Sequence, residues 1–347
     1  MLNTQCIIFC NFAVMKRYIY IILIAGVTLI SCNREKRSAN LSGIECDIKI
    51  ERFDSLFWSL DTTRLAEEFA KLNTEHPDIT PIYTENVVQF GHPDSAITHD
   101  TYKLFRSNKE VGKLYEDALS IYANVDDIEK DLTEAFRRAK YFLPQFPTPR
   151  VYCHVSGLNQ SLIVGEGFIS LSIDNYLGAD YQLYKEIGIY KYQRPNMRRE
   201  KVAPDYITAW LSSEFSSSLA DNLLSDMIRY GKILYTVSVL LPKTPERVIM
   251  GYSEEQWDWV KENEANMWNA LIASKDLYTT SMIIKNQYVG EGPFTKPFTQ
   301  ESPGRAGTYI GWRIVESYMK HNPQISIQQL LQQPDAQTIL NNSNYRP

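Results

Sequence analysis

Histidine is scarce in this chain and is never paired at the spacing that a zinc helix requires. The five histidines are His76, His92, His99, His154 and His321, and no two of them are four residues apart. A zinc peptidase helix carries His-Glu-x-x-His, which sets two imidazoles on one face. Pro93 also prevents His92 and His99 from sharing a helix. The sequence therefore predicts no histidine-based metal site and no cofactor.

The sequence also lacks a recognisable nucleophile. It contains no Gly-x-Ser-x-Gly elbow, and the glycine at position 231 is not part of a Walker loop. Cys153 directly precedes His154 in an expected strand, where neighbouring side chains point to opposite faces, so they cannot form a dyad. The remaining candidate acids or bases are Glu166, Glu214 and Glu264, and the sequence gives no reason to choose among them.

A broad excess of positive charge is missing as well. The 41 acidic residues outnumber the 36 lysines and arginines, for a net charge of −5. This balance argues against nucleic acid as a partner. A hydrophobic fraction of 44% without a low-complexity tract indicates a folded chain.

The N-terminus carries the most informative pattern in the chain. Lys16 and Arg17 precede an apolar run, Tyr18 to Ile30, that is short for a membrane span and typical of a signal peptide. The run ends in "LISC", which matches a bacterial lipobox and predicts acylation of Cys32. Two or three acyl chains would anchor the protein stably in a membrane. The alternative is an ordinary secretory signal or signal anchor with an incidental cysteine.

The domain organisation follows from this leader. The residues before Met15 are apolar and uncharged, unlike a signal n-region, so we predict that translation starts at Met15. We predict a signal peptide over residues 1–31, a lipidated polar tether over 32–43 and one globular domain over 44–347. In the mature chain Cys46 and Cys153 could form a disulfide or remain free thiols.

Apolar spacing predicts helices on both sides of a short strand-rich region. Helical patterns cover 54–73, 108–125, 126–146, 205–241, 253–274 and 302–319. Short β-rich segments with glycine turns predict two or three strands around residues 149–173. The expected fold is α+β, predominantly helical, with a small central antiparallel or mixed sheet.

The segment "SPGRAGTYIGW", which begins at Ser302, is the conspicuous glycine-rich stretch. Pro303 suits the first turn of a helix. Gly307 and Gly311 are four residues apart and share a helix face, which would let another backbone approach closely. Arg305 could pair with an acidic helix or hold an anion at the helix N-terminus.

Taken together, several segments resemble the gliding-motility lipoprotein GldB family of Bacteroidetes. They are the lipobox, "IKIERFDSLFW", "GEGFISLSIDNYLGADYQLY", "MIRYGKILY", "WVKENEANMW" and "SPGRAGTYIGWRIVESYM". The likeness spans nearly the whole mature chain. It implies an acylated envelope protein without an assigned catalytic activity, in a family named for surface gliding that also has relatives in non-gliding bacteria.

The chain is also distantly similar to the scaffold of zincin-type peptidases. The matching region "ITAWLSSEFSSS" has no histidine, and Arg229 or a neighbour stands where the glutamate ligand would be. The resemblance thus implies a zincin-like scaffold without its metal ligands. It also implies that Gly304, Arg305, Tyr309 and Trp312 line a vestigial cleft.

We expect a non-enzymatic lipoprotein of the outer membrane, facing the periplasm, that acts in envelope assembly or gliding through protein contacts. Its partners would be the membrane, through the acyl chains, and other envelope proteins. One alternative is a hydrolase with unrecognised residues in the cleft. Another is a protein that binds a small anionic or peptide ligand there, through Arg305 and the aromatic residues.

Overall fold

A computed structural model describes residues 39–159, 161–215 and 221–347. The predicted signal peptide and Cys32 lie outside these ranges. The chain divides into Met1–Ser42, of which only residues 39–42 are described, and Gly43–Pro347, which contains every element below. None of the helices in the described ranges is both long and apolar enough to cross a bilayer.

The structure contains a mixed four-stranded sheet, and three of its strands lie within residues 150–172. Its strands are β1 Ile50–Arg52, β2 Arg150–His154, β3 Leu162–Gly165 and β4 Phe168–Ser172, in the spatial order β1-β2-β4-β3. Strands β1, β2 and β4 run parallel, and β3 returns antiparallel to β4. Gly167, with a φ of +75°, closes the two-residue β3–β4 turn. The predicted strands are confirmed, and β1 is an addition.

Helices make up most of the remaining chain, as predicted. Before β2 they are α1 Phe53–Trp58, α2 Leu65–Glu75, α3 Thr80–Ile82 with a π-helical turn Tyr83–Val87, α4 Ala96–Ser107, α5 Lys109–Ile121 and α6 Asp126–Phe142. After β4 they are α7 Gln182–Glu186, α8 Val202–Glu214, α9 Leu223–Leu240, α10 Glu246–Met250, α11 Glu254–Glu262, α12 Glu264–Ser274, α13 Met282–Val289, α14 Ala306–His321, α15 Ile327–Gln332 and α16 Ala336–Ser343. The predominantly helical α+β fold class is therefore confirmed.

Three helical predictions were too long. The patterns over 205–241 and 253–274 each contain two helices, α8 with α9 and α11 with α12. The pattern over residues 54–73 divides into α1 and α2, with a turn between them. Asp61 stabilises that turn, because its Oδ1 accepts hydrogen bonds from the backbone N–H and the hydroxyl of Thr63 at 2.9 and 2.7 Å. Aspartate competes with helix formation in this way.

The sheet separates two hydrophobic clusters. One face of β2 and β4, with Val151, Cys153 and Leu171, packs into the larger cluster formed with the long helices. The opposite face, with Tyr152 and Phe168, joins a smaller cluster rich in aromatic rings from α1 to α4. Both faces are covered, which explains why all five residues of β4 are buried.

Helices α9 and α14 cross at two glycines in the larger cluster. A Cβ on Gly231 would collide with the carbonyl of Gly311, and a Cβ on Gly311 would collide with the carbonyl of Met227. A Cβ on Gly307 would lie 2.9 Å from the carbonyl oxygen of Tyr288 in α13. The predicted close approach along the glycine face of α14 is confirmed by these contacts.

Candidate functional site

The glycine-rich segment enters α14 through a tight turn. Helix α14 begins at Ala306, so the expectation that Pro303 occupies its first turn was wrong. Thr295 explains the later start: its Oγ1 donates to the carbonyl of Pro303 at 2.7 Å and accepts from the N–H of Ala306 at 2.9 Å. Arg305 precedes the helix in a left-handed conformation, with a φ of +60°.

The side chain of Arg305 is engaged within the fold. Its Nη1 lies 3.0 Å from the carboxylate of Glu291, and its Nη2 donates to the carbonyl of Met250. The acidic partner belongs to the loop after α13, not to an acidic helix as one interpretation of the sequence had it. The backbone of Gly304 packs against Gly292, where a Cβ would collide with the carbonyl oxygen.

Tyr309 and Trp312 lie inside the larger cluster. Tyr309 is 1% exposed and Trp312 is 0% exposed. The hydroxyl of Tyr309 donates to Glu264 at 2.8 Å, and burial, followed by the charge of Glu264, raises the pKa of that hydroxyl. Neither residue presents a surface to a ligand arriving from solvent. The cleft predicted from the zincin resemblance stays a prediction, and this packing does not favour it.

The three candidate glutamates lie on separate elements. Glu166 is at the exposed β3–β4 turn, and Glu214 is the exposed last residue of α8. Glu264, the first residue of α12, accepts from Tyr309 on Oε2 and from Tyr345 on Oε1, both at 2.8 Å. Each oxygen of this carboxylate thus already holds a hydroxyl donor, which ties α12 and the C-terminal segment to α14.

A buried carboxylate that sequence reasoning missed lies at the end of β4. Asp174 is inaccessible to solvent and accepts from the backbone N–H groups of Ser156 and Leu158 at 3.1 and 2.7 Å, and from the hydroxyl of Ser172. Burial raises the pKa of Asp174, although these hydrogen bonds oppose the shift. The arrangement fixes the loop after β2 and leaves no open side for a substrate. The only signal in the sequence was one acidic residue inside an apolar run.

A second buried charge occupies the middle of α9. Lys232 is 2% exposed and donates from Nζ to the carbonyl oxygens of Leu331 and Gln333, at 3.1 and 2.8 Å. These carbonyls end α15, where a cation satisfies acceptors that the helix leaves free. Burial lowers the pKa of Lys232 to about 8. Its position indicates a packing role, because both acceptors belong to the protein.

A groove of about 430 Å³ lies beside α6 and is lined mainly by charged side chains. Two of its lining residues form an ion pair, with Lys49 Nζ 3.0 Å from the carboxylate of Glu129. Burial, followed by the charge of Asp127, raises the pKa of Asp131 on its wall. Because side chains of both charges line it, the groove does not favour one class of charged ligand. None of the four predicted cleft residues lines it.

The same face of α6 holds the segment through which the chain enters the fold. Thr133 accepts from the N–H of Ile48 and Glu129 from the N–H of Ile50, both at 2.9 Å. Arg137 donates to the carbonyl of Ile44 at 3.1 Å, and Lys140 to that of Glu45 at 2.8 Å. Chain that follows the predicted tether is thus fixed to a helix as soon as the compact unit begins.

Histidine and cysteine form no site in the described ranges. His154 is buried on the aromatic side of the sheet, where its Nδ1 lies 2.7 Å from the Ser170 hydroxyl, while Cys153 faces the other cluster, as predicted. Cys46 and Cys153 are both free thiols. Among the described residues, no group of three or more histidine, cysteine or carboxylate side chains could hold a metal ion.

Large apolar side chains are exposed around the junction of α12 and α13. This α12–α13 patch consists of Ile272, Tyr278, Met282 and Ile283, the last of which is 75% exposed. Its members lie on consecutive elements, with a left-handed turn at Lys275 and a 3₁₀ turn Asp276–Tyr278 between the helices. Four large apolar side chains exposed within residues 272–283 are candidates for an interaction surface.

Comparison with known proteins gives one match. The family model described as "Gliding motility protein GldB" matches residues 34–347. No curated protein and no solved structure matches the chain. A match over nearly the whole chain places the protein in this family: it belongs to the GldB gliding motility family.

Proposed function

We propose that this chain, as a member of the GldB family, acts in gliding motility as an envelope lipoprotein that works through contacts with other envelope proteins and without catalysis. The lipid would be carried by Cys32, which lies just before the start of the family match at residue 34. We place the anchor in the outer membrane with the domain facing the periplasm. The GldB match supports the envelope and motility parts of this proposal.

The observation that carries the proposed protein contact is the α12–α13 patch. Met282 and Ile283 open α13 and face solvent, whereas Tyr288 and Val289 at the other end of the same helix are buried. Burying a large aliphatic side chain is worth about 1.5–3 kcal/mol relative to exposure, so a partner would gain by covering these residues. Aromatic and methionine side chains are also enriched in interface centres.

The environment of the candidate acids supports a role without catalysis. A general acid or base must reach the reacting group within hydrogen-bonding distance. Both oxygens of Glu264 are taken by tyrosine hydroxyls of the protein itself. Asp174 is enclosed by its own loop. Neither carboxylate offers a free oxygen to a substrate.

The proposal is tested by replacing one patch residue and one matched residue elsewhere. Ile283→Glu should abolish or strongly reduce spreading on a surface when it replaces the wild-type chain in the bacterium. Ile97→Glu is the control, because Ile97 in α4 is also an exposed isoleucine, at 73% against 75% for Ile283. Both variants should reach the envelope in wild-type amounts. Wild-type spreading of the Ile283→Glu strain, or equal loss in both strains, would contradict the assignment of the contact to this patch.

A further inference from the structure

The region between α7 and α8 carries a concentration of positive charge. Six lysines and arginines and two glutamates lie in residues 185–201, hereafter the basic loop, which gives it a net charge of +4 in a chain whose net charge is −5. The basic residues are Lys185, Lys191, Arg194, Arg198, Arg199 and Lys201. Solubility does not require such a local excess of positive charge, so another physical explanation is needed.

Only part of this charge is neutralised within the fold. Arg199 donates from Nε to Asp127 at 2.8 Å, and Lys201 lies 2.9 Å from Asp205. The remaining central cations, Lys191, Arg194 and Arg198, form no ion pair with any residue that the structure describes. Lys191 is exposed, whereas Arg194 and Arg198 are half-buried, and their Nε atoms are buried without a hydrogen-bond partner among the described residues. The charge of these three cations is therefore not neutralised by the part of the protein that the structure describes.

Apolar side chains project from the same loop. Ile187 is 52% exposed and Tyr190 is 65% exposed. The ring of Tyr190 stacks on that of Tyr192, with centroids 5.5 Å apart and planes 14° from parallel. Stacking holds the two phenol rings side by side, with Tyr190 exposed and Tyr192 half-buried. The loop thus combines cations with an aliphatic and an aromatic tip.

The turn that carries these tips is well fixed. Gly188, with a φ of +80°, lets the chain reverse, and the N–H of Ile189 donates to the carbonyl of Tyr184 at 2.9 Å. Tyr184 is buried, and its hydroxyl accepts from the N–H of Leu177 at 2.9 Å. The loop therefore presents its tips from a packed base, so little ordering is needed when it meets a partner.

We propose that the basic loop binds an anionic lipid surface. Lysine and arginine are attracted to anionic headgroups, and tyrosine prefers the membrane–water interface. Short apolar tips on a loop that also carries cations match such an interface, whereas two exposed apolar residues are few for a stable protein interface. A membrane is also at hand if Cys32 carries the lipid anchor of the proposed function, and in this respect the inference rests on that proposal. The inference goes beyond the proposed protein contact and does not use the α12–α13 patch.

The test uses the full lipid-anchored chain in nanodiscs and measures backbone hydrogen exchange of the basic loop. Nanodiscs of pure phosphatidylcholine are compared with nanodiscs that contain phosphatidylglycerol. We expect exchange in the loop to slow by roughly fivefold or more on the anionic surface, since each basic residue near such a surface contributes about a fivefold factor in binding. Exchange at residues 272–283, in the α12–α13 patch, should be the same in both lipids.

Two sets of variants decide whether the effect belongs to the loop. Replacing Lys191, Arg194 and Arg198 together by glutamate should remove the anionic-lipid protection. Glutamate at Lys103, Lys113 and Lys261 changes the net charge equally at exposed sites elsewhere and should retain it. Tyr190→Ser, which leaves every charge in place, should weaken the protection and keeps the test valid if the triple variant does not fold.

Other outcomes would overturn the proposal. Equal exchange in neutral and anionic nanodiscs would show that the loop does not bind lipid. Protection by soluble polyglutamate in detergent, without protection in anionic nanodiscs, would assign the loop to an acidic polypeptide instead. Loss of protection in both triple variants would reveal an effect of net charge alone.

Discussion

Helix α14 and the α12–α13 patch contain similar apolar and aromatic side chains, yet the fold treats them in opposite ways. Tyr309 and Trp312 of α14 are buried, and both rings pack against Trp257 of α11. Met282 and Ile283 face solvent one element earlier in the chain. The glycine-rich segment that looks most like a functional motif thus serves packing, and the surface that a partner could cover has no motif at all.

The difference shows where evidence for function lies in a protein without recognisable catalytic residues. A glycine face stands out in sequence because a close backbone contact tolerates no Cβ. A contact surface only has to be apolar and uncovered, and many residue combinations satisfy that requirement. The two regions should therefore respond to substitution in different ways: α14 through stability and the patch through function.

The largest effect on stability is expected at the crossing of α9 and α14. Gly311→Ala places a methyl group against the backbone carbonyl of Met227, which cannot move aside as a flexible side chain could. Overpacking of this kind should lower the free energy of unfolding by about 3 kcal/mol. The matched control is Gly112→Ala in α5, where a Cβ would meet nothing within 4 Å. It should stabilise the protein by up to about 1 kcal/mol.

Denaturant unfolding of both variants measures these changes. If the free energy of unfolding falls in Gly311→Ala and rises in Gly112→Ala, the glycine face of α14 is needed for close packing. If Gly311→Ala were as stable as Gly112→Ala, helix α14 would not pack as described and the comparison between the two regions would fail.

A smaller effect, visible only as a dependence on pH, is expected from Lys232. Burial lowers the pKa of this lysine to about 8, below its ordinary value of 10.5. Between these values the unfolded chain binds more protons than the folded chain, so the Lys232 contribution to the free energy of unfolding rises with pH. The rise can reach about 1.4 kcal/mol per pH unit at most.

Lys232→Met should flatten this rise. The measurement is the free energy of unfolding at pH 7.5, 8.5 and 9.5 for the wild type, for Lys232→Met and for Lys261→Met, which changes an exposed lysine. If the free energy of unfolding depends on pH as steeply in Lys232→Met as in the wild type, another group causes that dependence.

The effect at Arg305 should be smaller still. Its ion pair with Glu291 is partly exposed, with 29% and 60% of the two side chains accessible, and such pairs contribute about 0.2–1 kcal/mol. Arg305→Ala also removes a hydrogen bond to the Met250 carbonyl, so a total loss of about 1 kcal/mol is expected. Glu291→Ala breaks the ion pair alone and should reduce stability by less. A loss of several kcal/mol in Arg305→Ala would show a buried structural role.

Much of the helical part of the fold could be predicted because its signals are local. Helix α5 follows Asn108, which caps it by accepting from the N–H groups of Glu110 and Val111, and α6 shows a regular apolar stripe. Strand β1 was missed because it is defined by its pairing with a strand that is far away in the sequence. It has three residues, and Ile50 pairs with Val151 roughly a hundred positions later.

The exposed apolar surfaces were harder to foresee for a related reason. Nothing in "SMIIKNQYV" distinguishes the exposed Met282 and Ile283 from the buried Tyr288 and Val289, because exposure depends on which neighbours the fold supplies. The aromatic residues of α14 were predicted as walls of a cleft, and the fold buries two of them. The zincin resemblance placed this segment at a cleft, which stays a prediction, and a resemblance does not tell which side chains face solvent.

The most direct test of the division between a packing helix and a contact surface is the gliding speed per envelope-bound molecule. It would be measured in strains that carry Ile283→Glu or Gly311→Ala, with protein amounts taken from the same cells. For Ile283→Glu we predict wild-type amounts and a large loss of speed. For Gly311→Ala we predict reduced amounts and a speed that falls only in proportion. Normal speed per molecule in Ile283→Glu, together with a loss of speed per molecule in Gly311→Ala, would contradict the account. That result would show that α14 contributes to gliding directly and not only through stability.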